Sequence, residues 1–68
     1  MVIRPARRED AAAIWSILEP IIRAGETYAL DPRMSEADAL TYWLGLDKET
    51  FVVEAEGSIV GTYFMRAN

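Results

Sequence analysis

No cysteine and no histidine occur among the 68 residues. Disulfide staples and the usual zinc-binding sets are therefore excluded as ways of holding so small a chain together. Apolar packing must suffice, although a chain of this length buries only about 60% of its unfolded surface. A cysteine-free sequence also fits a reducing compartment, and the cytoplasm is the expected location. Basic residues are sparse as well. Seven Lys and Arg against eleven Asp and Glu give a formal net charge of -4, the wrong sign for a surface that neutralises phosphates, so no nucleic-acid partner is expected. The one basic cluster, Arg4, Arg7 and Arg8, lies beside a strand-to-helix turn and reads as a solvated edge. Long apolar runs are also missing. Met1 leads only into Val2-Ile3 before Arg4-Pro5, unlike a secretory signal, and Ala11 to Ile22 is interrupted by Ser16, Glu19 and Pro20. That stretch is too short and too polar to span a bilayer.

What is present suits a globular fold, since 51% hydrophobic and 26% charged residues lie outside the low-hydrophobicity, high-charge regime of disordered chains. A single α+β unit over residues 1–68 is expected. Val2-Ile3-Arg4 reads as a short strand closed by Pro5, which has no N–H to continue a ladder. Arg8-Glu9-Asp10 then supplies carboxylates for a first helical turn. Ile14, Leu18, Ile21 and Ile22, widened by Ala11 and Ile17, form the stripe of a helix packed on a sheet. Arg23 and Gly25 suit its end. Pro20, within this pattern, predicts a kink or an early end, read either as a tolerated bend or, functionally, as one that aims the following loop, 25–34, toward a site. Ser35-Glu-Ala-Asp is a capping pattern for a second helix bearing Leu40, Trp43 and Leu44 on one face and ending near Gly45.

From Thr50 the period becomes two, with Phe51, Val53 and Ala55 on one face and Val52, Glu54 and Glu56 on the other. Glu56-Gly57 predicts a tight turn and a returning strand over 58–67. Strict alternation puts Ile59, Gly61, Tyr63 and Met65 on one face of that strand and Val60, Thr62, Phe64 and Arg66 on the other. Large apolar groups on both faces suit the middle of a sheet covered on both sides. Left as an edge, the strand is a template for pairing with another chain.

Strand, helix, helix, hairpin is the order of the N-terminal half of the acyl-CoA N-acyltransferase (GNAT) fold, and two stretches resemble the GNAT-type N-acetyltransferases in detail. Ile3-Arg4-Pro5-Ala6-Arg7-Arg8-Glu9-Asp10-Ala11-Ala12-Ala13-Ile14 is similar to the family's opening strand and helix start. Glu54-Ala55-Glu56-Gly57-Ser58-Ile59-Val60-Gly61 is similar to its hairpin. The resemblance covers nearly the whole chain but about the first two fifths of a complete family domain. It implies transfer of acetyl from acetyl-CoA to an amine acceptor. In the family the pyrophosphate of acetyl-CoA sits on a glycine-rich loop leading into a helix N-terminus. Gly25, Gly45, Gly57 and Gly61 are dispersed, so this chain alone is expected to bind no acetyl-CoA and to be inactive by itself.

The resemblance also implies that the segment between the two helices, Gly25-Glu26-Thr27-Tyr28-Ala29-Leu30, lines the acceptor pocket. Glu26 would then accept a hydrogen bond from the acceptor ammonium, Thr27 would lie beside it, and Tyr28 would form an aromatic wall; the plainer reading is a polar loop residue beside a core aromatic. Tyr63 and Arg66 point toward where family active sites lie, while Tyr63 also suits the core. Trp15 and Trp43 read as core or helix-interface residues. Glu54 and Glu56 flank a turn and read as a solvated hairpin end rather than an acid–base pair. No catalytic base, cofactor-binding residue or metal ligand is assigned. The expected partners are a small-molecule amine and either a second copy of the chain or a C-terminal half of the fold, docked along strand 59–67. The alternative function is a small self-associating α+β interaction module without enzymatic activity.

Overall fold

The computed structural model describes residues 1–26 and 30–66. A short strand β1 (Val2–Pro5) leads through a 3-10 turn (Arg8–Asp10) into helix α1 (Ala11–Arg23), followed by helix α2 (Glu36–Trp43) and the strands β2 (Lys48–Ala55) and β3 (Ser58–Arg66). The sheet is antiparallel in the order β1-β2-β3, so β2 is central. Both helices contribute to one core. Ile14, Leu18 and Ile22 of α1, Leu30, Ala39 of α2 and Val52 of β2 are buried together.

Spacing of four residues places Ile14, Leu18 and Ile22 one above another on the α1 face that meets the sheet. The early end expected at Pro20 does not occur, because the helix continues to Arg23. Pro20 itself is exposed, its carbonyl accepts from the Ala24 N–H at 3.1 Å, and burial of Ile22 favours the extra turn. The helix closes as the Arg23-Gly25 signal predicts. Gly25 takes φ 71°, while its N–H donates to the Ile22 carbonyl at 3.0 Å and the Glu26 N–H to that of Ile21 at 3.2 Å, a Schellman arrangement. The Arg23 guanidinium also reaches forward to the carbonyls of Pro32 and Met34, at 2.8 and 2.7 Å, and so holds the return of the chain against α1. Ser35 caps α2, its hydroxyl accepting from the Asp38 N–H at 3.1 Å.

The hairpin turn falls at Glu56-Gly57, as the sequence implies. Glu56 at φ 52° and Gly57 at φ 79° are both left-handed, the arrangement of a two-residue turn whose twist matches its strands. β2 starts at Lys48, two residues before the expected Thr50.

One expectation about β3 is overturned. Val53 pairs with Gly61 but Glu54 pairs with Ile59, so Val60 is an extra residue in a β-bulge, and strict alternation fails there. Ile59 thereby packs against the core beneath the helices, on the face shared with Thr62 and Phe64, and Val60 is exposed. The expected grouping of Ile59 with Gly61, Tyr63 and Met65 is broken, because a bulge keeps an apolar residue on the buried face on each side of it. Among the described residues β3 is an edge strand, not a central one, and its Tyr63 and Met65 are exposed together with Ile3 of β1 on the face away from the helices.

Candidate functional site

A cleft opens between α1 and β3. Ile17, Leu18, Ile21 and Ile22 of α1 form one wall, Leu30 enters from the segment between the helices, and Trp43 and Thr62 complete it, enclosing about 130 Å³. The lining follows from the α1 periodicity: Leu18 and Ile22 face the core, and Ile17 and Ile21, one position earlier, form the lip above them. Two polar groups reach the cleft, and both are already engaged. The Trp43 indole N–H donates to the Thr62 hydroxyl at 3.0 Å, and that hydroxyl donates to the Phe51 carbonyl at 2.8 Å. Thr50 donates to the Trp43 carbonyl at 2.7 Å, and the Phe64 ring meets the indole edge-on with centroids 4.7 Å apart. Trp43, read from the sequence as a core or interface residue, pins the end of α2 to the sheet. Trp15 lies at the other end of the helix surface, with the Arg23 guanidinium over its ring at 5.5 Å.

The residues expected to contact an acceptor are distributed unevenly. Glu26 is exposed, immediately after the α1 cap. Thr27 and Tyr28 lie outside the described residues. Leu30, the last residue of the same segment, is buried and contributes to the cleft. Tyr63 is on the other side of the sheet: it pairs with Phe51, next to Val52 beneath the helices, and stacks on the Phe51 ring at 5.3 Å. The sheet therefore separates Tyr63 from the helix face that carries Glu26. Arg66 folds back instead, donating to the Tyr42 hydroxyl at 3.1 Å and approaching Asp47 at 3.6 Å.

Carboxylates positioned by the fold are occupied. Arg4 holds Asp10 with two nitrogens, at 2.9 and 3.1 Å, and donates through Nε to Glu54 at 2.7 Å. Asp10 also accepts from the Arg7 backbone N–H at 2.7 Å. The Arg4 hydrogen bond is the main reason that Asp10 is held below the usual aspartate range, and Arg4 is pushed up in turn, first by Asp10 and then by Glu54. Two sequence expectations change here. Arg4 is the hub of an ion-paired trio, not part of a solvated edge. Glu54 is half-buried in that trio, not a free hairpin-end acid. Asp10 serves β1 as much as the helix start, being 5% exposed and bonded to residues on both sides of the turn. Local sequence shows Arg4 and Asp10 flanking a turn but contains nothing that brings Glu54 to them from 50 residues away.

A second cluster, not anticipated from sequence, forms where β2 begins and β3 ends. Lys48 has its ammonium 4.1 Å from the Tyr42 ring centre and 3.0 Å from Asp47. That hydrogen bond is the leading reason that Asp47 too is held below its ordinary range. Asp10 and Asp47 are each held as anions by a cation, so neither is poised to take a proton from an amine.

The glycines do not form a phosphate cradle. Gly25 closes α1, Gly57 turns the hairpin, Gly61 faces Val53 across the strands, and a Cβ on Gly45 would crowd Asp47 at 2.7 Å. No helix among the described residues is long and apolar enough to cross a membrane.

No family model and no curated protein matches the sequence. Among solved structures, the chain is similar to a GCN5-related N-acetyltransferase from Kribbella flavida, with 35% sequence identity and a TM-score of 0.73. The likeness covers 90% of this chain and 39% of that one. The chain spans about two fifths of that protein's length, and its fold and sequence resemble the GNAT-type N-acetyltransferases in a way consistent with an N-terminal portion of one.

Proposed function

We propose that the chain supplies the acceptor side of an N-acetyltransferase that moves acetyl from acetyl-CoA to an amine. The likeness to the Kribbella flavida enzyme, at 35% identity over 90% of the chain, carries this reading. Glu26, Thr27 and Tyr28 are the proposed acceptor contacts, and Tyr63, which lies across the sheet with Phe51, is left out of that set. Transfer requires a neutral amine, a route for its proton and donors for the thioester oxyanion. The proton acceptor, the oxyanion donors and the pyrophosphate site are assigned to the remaining strands of the fold, on the same or another polypeptide. The proposed compartment is the cytoplasm, in keeping with the cysteine-free sequence.

Isothermal titration of acetyl-CoA tests the reading, using the 68-residue chain and a polypeptide continued through the coding sequence after Asn68. Binding and acetyl transfer to an amine by the longer form alone is the expected result. A longer form that neither binds nor transfers overturns it.

A second reading, a self-associating module, draws support from the β3 edge. Val60 and Met65 are more than half exposed there, at 58% and 57%, on a strand with a free pairing edge among the described residues. A stable dimer of the 68-residue chain, with no enzymatic form, is its expected signature.

A further inference from the structure

We infer that the cleft between α1 and β3 selects an apolar group of four to six carbons on the acceptor amine, an inference that rests on the acetyltransferase reading. Size gives the first constraint. An enclosed apolar space of about 150 Å³ accommodates a benzene-sized guest, and this cleft measures about 130 Å³. It is too small for a whole cofactor or a drug-sized ligand, for which pockets of about 300 Å³ or more are usual.

Chemistry gives the second constraint. Five of the seven lining residues are Ile or Leu, and the polar atoms of the other two, Trp43 Nε1 and Thr62 Oγ1, are bonded to each other and onward to the Phe51 carbonyl. Both donors are committed and a single lone pair of the Thr62 hydroxyl is the side-chain acceptor left among these lining residues. A hydroxyl, ammonium or carboxylate entering the cleft therefore loses most of its water contacts, a cost that an alkyl or phenyl group avoids. Position gives the third. Leu30 lines the cleft and is buried, so an apolar group seated against it leaves its ammonium in the solvent at the cleft mouth. Ile21, at 40% exposure, forms a replaceable lip that governs entry without holding the core.

Selectivity then follows from burial, each methylene contributing about fourfold in affinity when taken fully out of water. The test titrates isoamylamine, benzylamine, ethylamine and ethanolamine into the isotopically labelled 68-residue chain, following the Trp43 indole N–H and the methyl resonances of Ile17, Ile21 and Leu30. Isoamylamine and benzylamine are expected to bind at least tenfold more tightly than ethylamine, and ethanolamine no better than ethylamine, with shifts concentrated on the cleft residues. Ile21→Trp, which fills the lip, is expected to abolish binding while the backbone spectrum stays native; Ile17→Ala, which widens it, should favour benzylamine over isoamylamine. Equal affinity across the four amines, absence of binding by any, or binding unaffected by Ile21→Trp in a folded chain overturns the inference. Acetylation assays on the continued polypeptide separate it from the reading beneath. Selective binding without acetyl transfer would leave the pocket and remove the enzyme, whereas acetylation of ethanolamine as readily as isoamylamine would leave the enzyme and remove the pocket's role.

Discussion

Thr62→Val changes a hydroxyl into a methyl of nearly the same shape and so isolates what the Trp43–Thr62–Phe51 connection contributes. Two bonds are lost together, the 3.0 Å bond from the indole N–H and the 2.8 Å bond to the Phe51 carbonyl. A buried donor stripped of its partner costs about 1–3 kcal/mol. Thr62 and Trp43 are half-buried rather than sealed, so water can recover part of the loss and about 1–2 kcal/mol is the expected destabilisation. For a chain of this size each kcal/mol moves the midpoint by about 4–8 °C, which predicts a Tm lower by about 5–15 °C, readily seen by circular dichroism. The sharper measurement is a double-mutant cycle with Trp43→Phe, which keeps an aromatic ring beside Phe64 but removes the N–H. If the indole and the hydroxyl act on each other, the double variant should be less destabilised than the sum of the singles by about 1 kcal/mol. Strict additivity, or a Thr62→Val chain as stable as the parent, would refute this account of how α2 is fixed to the sheet.

Three further outcomes are expected. Asp10 has its folded pKa depressed by Arg4, so its contribution is present above the ordinary aspartate value of about 3.9 and lost as the pH falls below it; Asp10→Asn should flatten the fall in stability on acidification below about pH 4 in acid titrations monitored by tryptophan fluorescence. Glu56 has φ 52° in a turn that favours Asn-Gly, so Glu56→Asn should raise stability by about 0.5–1 kcal/mol, and an unchanged urea midpoint would contradict the turn assignment. If the edge of β3 drives association, Met65→Lys should shift sedimentation toward monomer; Phe64→Lys should instead unfold the chain, because Phe64 packs against Tyr42 and Trp43 beneath the helices.

Features set by neighbouring residues were legible in the sequence, and features set by distant ones were not. The α1 stripe, the Gly25 stop, the Ser35 cap and the Glu56-Gly57 turn each depend on residues a few positions apart, and each is found where its pattern lies. Pro20 misleads because a proline weighs only the helical bond it removes, whereas Ile22 has a core to enter two residues later. Alternation misplaces Ile59 for a similar reason: the period of two is obeyed on each side of Val60, and only the pairing with β2 shows where a residue is skipped. The Arg4–Asp10–Glu54 trio and the Lys48–Asp47–Arg66 cluster require the sheet to exist before their charges meet. Of the candidate site, the cleft was not legible, since its walls come from α1, α2 and β3 at once.

These distinctions bear on what such a chain can contribute to catalysis. Asp10 and Asp47 are tied to an arginine and a lysine, and a carboxylate stabilised as an anion in this way is a poor proton acceptor at neutral pH. The cleft, conversely, presents hydrocarbon walls and a hydroxyl–indole pair whose O–H and N–H donors are already committed. Its means of acting on an amine is therefore to bury the apolar part and fix where the nitrogen emerges. Orientation of that kind accelerates transfer only when the reactive thioester is held at a matching place. The contribution proposed for these residues is accordingly positional. Enlarging the cleft should weaken binding of a well-fitted amine, and acetyl transfer should fall further than binding when the nitrogen is left free to wander.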